Sequence, residues 1–189
     1  GAGLFSAARV WWLFQLMGHS DIAVLDGGLP KWQAEGHPTE DMAPVIRDRH
    51  MTVRRQNQMV RDVTQVSAAA KLGDYEIIDA RAATRFAGTA PEPRAGLRSG
   101  HIPGSKNVCY RDLLRSDNTM KDPDVLRQVF VDAGVDLAKP AITSCGSGVT
   151  AAILNLAMQR IGKTNHSLYD GSWSEWGMSP TLPVATGDN

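Results

Sequence analysis

The run Cys145-Gly146-Ser147-Gly148-Val149-Thr150 is where this sequence concentrates its chemistry. An apolar stretch at 141–144 reads as a strand and 149–161 as a helix, which puts Cys145 on a tight loop at a helix start. Amides of such a loop turn inward around the sulfur, and the helix adds partial positive charge there, so the thiolate is favoured over the thiol. Gly146 and Gly148 allow the close backbone approach this needs, and Ser147 and Thr150 add hydroxyl donors to the bowl. A bowl of this kind suits an anionic sulfur and, equally, a persulfide. The spelling separates it from neighbouring chemistries. A cysteine phosphatase requires Arg six residues after its Cys, and that position is Ala151. Gly100 to Lys106 does not have phosphate-loop spacing, and none of the five histidines carries a protease signature. His101, in Gly-His-Ile-Pro-Gly, reads as a loop-stabilising donor. The other cysteine, Cys109, sits in a strand-like Asn-Val-Cys-Tyr run and is expected to be a core thiol.

Elements that alternate between strand and helix must position this loop. Residues 75–79 read as a buried strand ending in Asp79, and 81–104 as a long Gly-, Pro- and Arg-rich loop. A short strand is expected at 107–110, a helix from Pro123 to Ala133 stopped by Gly134, a strand at 166–169 and a last helix opened by Ser174. The pattern is that of an α/β domain with a mainly parallel sheet flanked by helices. Lys+Arg and Asp+Glu number 20 each, so no net field draws the chain to nucleic acid or an anionic membrane. No apolar run reaches the roughly 18–20 residues of a membrane span. Two cysteines 36 residues apart match neither a disulfide scaffold nor zinc spacing, which favours a reducing compartment, taken as the cytoplasm, and no metal.

A gapless shift of 144 places the beginning of the chain on its end: Ala7-Ala8 on Ala151-Ala152, Gly18 on Gly162, Asp26-Gly27 on Asp170-Gly171 and Trp32 on Trp176. Each copy reads as helix, Gly stop, short apolar strand (22–25 in the first), Asp-Gly turn and a second helix carrying Trp. The same shift places Gly1 opposite Cys145. The expectation is that residues 1–42 are the C-terminal part of one domain, 43–62 an extended, arginine-bearing linker and 63–189 a second, complete domain. On that reading a counterpart of 61–144 lies upstream, and the apolar face of the first helix is left without a sheet.

Asp79-Ala-Arg81, Gly100-His-Ile-Pro-Gly104 and the Cys145 loop together resemble the rhodanese homology domain. The uncharged loop is similar, more narrowly, to that of the tandem-domain 3-mercaptopyruvate sulfurtransferases, whereas thiosulfate-specific relatives carry basic residues in it. Phe5 to Trp12, Val24 to Gly28 and Tyr169 to Gly177 resemble further stretches of the same family. The resemblance implies a Cys145 nucleophile, Ser147 in a proton relay, and Arg85 and Arg94 holding the carboxylate and keto oxygen of 3-mercaptopyruvate. Gly146, Gly148, Val149 and Thr150 would line the substrate. It implies no organic cofactor, and as acceptor a small thiol, a thioredoxin-like protein or cyanide. An Asp and a His of the relay would come from the upstream domain segment. A thiosulfate:cyanide sulfurtransferase and a non-catalytic rhodanese-like binding module are the competing readings.

Overall fold

The computed structural model describes residues 4–187; Gly1, the expected counterpart of Cys145, lies outside them. Five strands form one parallel sheet: β1 (Val60–Arg61), β2 (Glu76–Asp79), β3 (Lys106–Asn107), β4 (Ala141–Ser144) and β5 (His166–Tyr169), in the order β1-β5-β4-β2-β3. In β2, β4 and β5 every residue is buried. Both faces of a parallel sheet are covered, which is why none of the three alternates between apolar and polar residues.

Helices α1 (Ala7–Leu16), α5 (Pro123–Asp132) and α6 (Ala151–Arg160) share a core with Ile78, Ala141 and Leu168 on one face. On the other, α3 (Val63–Leu72) and α7 (Ser172–Trp176) pack with Ile77, Ile142 and Tyr169. Local chemistry sets the helix ends. Asp62 and Gln65 form a reciprocal capping box at the start of α3, and Gly73 closes it in the left-handed conformation. Pro123 occupies the first turn of α5.

Helix α6 is the centre of the molecule. Ile153, Leu154, Ala157 and Met158 have no exposed surface, and the Asn155 Oδ1 accepts from the Thr143 hydroxyl on β4. Against its outer side lies α1, which buries Ala8, Trp11, Trp12 and Leu16. Side chains of this size stabilise by about 1.5–3 kcal/mol each when fully buried, so α1 is an integral wall of the core. Its other face exposes Val10, Leu13 and Phe14. A short α2 (Gly28–Ala34) carries Trp32, as the repeat predicts, while α4 (Ala83–Phe86) is a single turn inside the expected 81–104 loop.

Four expectations need correction. Residues 22–25 are not a strand. Ile22 and Val24 are half-buried and Ala23 and Leu25 exposed, which is strand-like alternation, but no neighbouring strand among the described residues offers a ladder. The stretch 43–62 carries no helix or strand as far as a 3₁₀ turn at Asn57–Met59, but Val60 and Arg61 then join the sheet edge as β1. Its middle is tied to the end of α1, since Arg54 N–H donates to the Met17 carbonyl at 2.9 Å. The strand expected at 107–110 ends at Asn107 and passes into a 3₁₀ turn, Tyr110–Leu113. Finally, α7 opens at Ser172, two residues before Ser174. No helix among the described residues is long and apolar enough to cross a membrane.

Candidate active site

Cys145 directly follows β4 and is 1% exposed, at the floor of a cavity of about 440 Å³. Ser147 N–H points at its sulfur at 3.5 Å. The loop is pinned from behind. Trp173 N–H and Ser174 N–H donate to the Cys145 and Gly146 carbonyls at 2.9 and 3.0 Å, and the Cys145 amide donates to the Ser172 hydroxyl at 3.3 Å. At Gly148 φ is +77°, and a Cβ there would lie 3.0 Å from both Arg9 Nη1 and Asp170 Oδ1, so glycine is required by conformation and by space.

Arg9 of α1 thus reaches the back of the loop. Its Nη1 donates to the Gly148 carbonyl at 3.2 Å and pairs with Asp170 at 2.7 Å, while its guanidinium sits 4.6 Å from the Trp12 ring centroid.

The predicted arginines stand on the cavity wall with Gly146, Ser147, Val149 and Thr150. Arg85 leans over the loop; its Nη2 is 3.1 Å from where a Cβ on Gly146 would be. Arg85 is held by Glu92, through Nε at 3.1 Å and Nη2 at 2.5 Å. Arg94 Nη1 donates to the Ser174 hydroxyl, which in turn donates to the Gly146 carbonyl at 2.5 Å, so Arg94 is coupled to the Cys145 loop through one side chain. Gly148, buried behind the loop, shapes the cavity without lining it.

Behind this wall is a closed ion cluster. Arg81, buried, bonds Asp79 through Nε and Nη2, Glu92 through Nη1 at 2.8 Å and the Gly100 carbonyl at 2.7 Å, with the Trp173 ring centroid 4.4 Å away. Two guanidiniums, of Arg81 and Arg85, therefore face two carboxylates. His101 has the structural role expected of it: its Nδ1 donates to the Phe86 carbonyl at 2.8 Å and its ring stacks on Phe86.

Cys109 does not behave as a core thiol. It is half-buried and lines the same cavity, because the chain turns after β3 and Cys109 caps the 3₁₀ turn that follows. Burial pushes its thiol pKa up, opposed by the Arg111 backbone N–H. Sequence reasoning also missed Glu92, Phe5, Tyr110 and Arg111, all of which line the cavity, and Arg9. For Arg9 a signal was available, since it is the one charged residue in Ala-Ala-Arg-Val-Trp-Trp-Leu-Phe-Gln-Leu. A group of His, Cys, Asp and Glu side chains suited to a metal does not occur among the described residues.

Comparison with known proteins gives one consistent result. The rhodanese-like domain family matches residues 62–179. The chain is 41% identical over 205 residues to thiosulfate/3-mercaptopyruvate sulfurtransferase 1, mitochondrial, of Arabidopsis thaliana, covering 97% of this chain and 54% of that one. It is 42% identical over 181 residues to the 3-mercaptopyruvate sulfurtransferase of Escherichia coli, covering 96% of this chain and 64% of that one. The crystal structure of SseA, a 3-mercaptopyruvate sulfotransferase of Escherichia coli, superposes with a TM-score of 0.80 at 40% identity, covering 92% of this chain and 65% of that one. The chain thus spans between 54% and 64% of the length of these two curated relatives.

Proposed function

We propose, from the premise that this chain belongs to the rhodanese-like family, that it transfers sulfane sulfur from 3-mercaptopyruvate through a Cys145 persulfide to a thiol acceptor. The observation that carries this reading is a buried cysteine on an amide-lined loop, beneath a cavity walled by Arg85 and Arg94.

The Cys145 thiolate attacks the donor sulfur, and the carbon–sulfur bond breaks. The electron pair goes to the enolate of pyruvate, which takes the proton that the new persulfide gives up. Arginine suits the donor's carboxylate because its planar fork binds two oxygens and stays charged. Arg94 reaches the loop through Ser174, so donor binding and loop geometry are coupled. Ser147, exposed at the cavity, is assigned to carry the proton. In the second half-reaction an acceptor thiolate, or cyanide in an assay, takes the outer sulfur and restores Cys145. Written this way, the chemistry is covalent catalysis in two half-reactions and balances without metal or organic cofactor. Both cysteines are free thiols, which supports a reducing compartment, read as the cytoplasm.

Mass spectrometry of the protein after mercaptopyruvate treatment tests the reading. Cys145 should be one sulfur atom heavier with release of one pyruvate, and Cys145→Ser should do neither. Pyruvate release at near parental rate by Cys145→Ser would overturn it. Thiosulfate as preferred donor is the second reading, favoured by the dual name of the Arabidopsis relative; the neutral Cys145 loop speaks against it.

A further inference from the structure

Of the four arginines that line the cavity, two are balanced by carboxylates among the described residues and two are not. Arg81 and Arg85 are balanced by Asp79 and Glu92. Arg94 and Arg111, which also line the cavity, have no carboxylate partner among the described residues. Arg94 sits on the Cys145 loop through Ser174 and is the cation placed for the donor. Arg111 comes from a different element, the 3₁₀ turn Tyr110–Leu113 that Cys109 caps. Its Nε donates to the Tyr110 hydroxyl at 3.2 Å and its guanidinium carbon lies 5.8 Å from the Tyr110 ring centroid. Phe5 meets Tyr110 edge-on, ring centroids 6.1 Å apart, and steadies that turn. Both terminal nitrogens of Arg111 are left without a protein acceptor among the described residues.

Position adds a second argument. Phe5, Tyr110 and Arg111 also border an adjoining groove of about 400 Å³ that continues past Arg115, Ser116 and Asn118. Arg111 therefore marks the junction between the space above Cys145 and a second compartment that mercaptopyruvate, a molecule of seven heavy atoms, does not need.

We propose that Arg111 determines acceptor specificity: its free nitrogens bind the carboxylate of an acidic, low-mass thiol that enters once pyruvate has left. This rests on the sulfurtransferase reading above. The acceptor thiolate attacks the outer sulfur of the Cys145 persulfide, the sulfur–sulfur bond breaks, and Cys145 leaves as thiolate. The product is the acceptor's persulfide, with no oxidant or reductant consumed. With the cysteine's negative charge passing between thiolate and persulfide, Arg94 answers the donor's carboxylate and Arg111 the acceptor's.

The test separates the half-reactions. Cys145 is charged with sulfur either by mercaptopyruvate or, bypassing the donor, by inorganic polysulfide. Discharge is then timed with 3-mercaptopropionate and with 2-mercaptoethanol, which carries a hydroxyl instead of a carboxylate. Using the ratio of the two rates removes differences in thiol reactivity. Arg111→Ala should lower that ratio by about five-fold or more at low salt, Arg111→Lys should retain part of it, and added salt should erode it in the parent. A ratio unchanged by Arg111→Ala overturns the proposal, as does equal slowing with both thiols, which would indicate a merely structural role. Failure to release pyruvate counts against the donor reading alone, since polysulfide still supplies the persulfide.

Discussion

Arg9 and Gly148 are 139 residues apart in sequence and joined by a hydrogen bond of 3.2 Å, Arg9 Nη1 to the Gly148 carbonyl. The contact makes the first helix part of the machinery that shapes the Cys145 loop. Arg9 also pairs with Asp170 across the same gap. Arg9→Leu should keep the packing of its stem and lose both polar contacts, costing roughly 1–2 kcal/mol of stability, read from the urea midpoint. Persulfide formation should slow several-fold at saturating donor. Arg9→Lys should recover the ion pair and little of the rate, because one ammonium cannot serve both acceptors in the same geometry.

Cys109 lines the reactive cavity, yet its thiol pKa is raised, chiefly by burial. Alkylation by iodoacetamide at neutral pH should therefore be slow at Cys109 and accelerate as pH rises, since the thiolate is the nucleophile. Peptide mapping separates the two sites. Cys109→Ser should retain most sulfur transfer; its loss to the level of Cys145→Ser would place Cys109 in the reaction.

For Arg94 the readout is the choice of donor. Loss of a charge-assisted hydrogen bond costs roughly 1.5–3 kcal/mol, or about 10- to 150-fold. Arg94→Ala should lower kcat/KM by that order on mercaptopyruvate and less on thiosulfate, which has no carboxylate. Equal losses on both donors would assign Arg94 to general attraction of anions.

His166 predicts an acid limb of stability. It is 8% exposed, both ring nitrogens lack a hydrogen-bond partner among the described residues, and burial, followed by the Lys163 ammonium, lowers its pKa to about 4. The unfolded chain binds the proton near pH 6.5 and the folded one only near 4. Stability is therefore full above about pH 6.5 and declines as pH falls towards 4, by an amount on the order of 3 kcal/mol. His166→Leu should flatten the urea midpoint across that window relative to the parent. A parallel decline in both proteins would show that other groups govern the acid limb.

The strands that sequence pattern located are those buried on both faces: β2, β4 and β5. The Cys145 loop followed, because a strand, two glycines and a helix leave the chain few alternatives there. β1 is not legible in the sequence and β3 only in part, as the start of the strand expected at 107–110: at two residues each they are too short for a period and exist only through pairing, Val60 with Leu168 and Asn107 with Asp79. The same holds for the site. Arg85 and Arg94 were reached by family resemblance, but Glu92, which holds Arg85, depends on how the 81–104 loop folds back. Cys109 was misjudged because Asn-Val-Cys-Tyr has a strand's spelling, while the ladder stops at Asn107.

The strand order β1-β5-β4-β2-β3 has a consequence for where chemistry can sit. After β2 the chain crosses one way, to β3; after β4 it crosses the other way, to β5. The two adjacent strands therefore send their outgoing loops apart, and a crevice opens between them at the carboxyl edge, the topological switch point of an open α/β sheet. Ala80 and Arg81 leave β2 on one bank and Cys145 leaves β4 on the other. The hollow is thus a property of the winding, present before any side chain is chosen. A chain that kept this winding and changed its loops would keep the hollow and alter only the reaction run inside it.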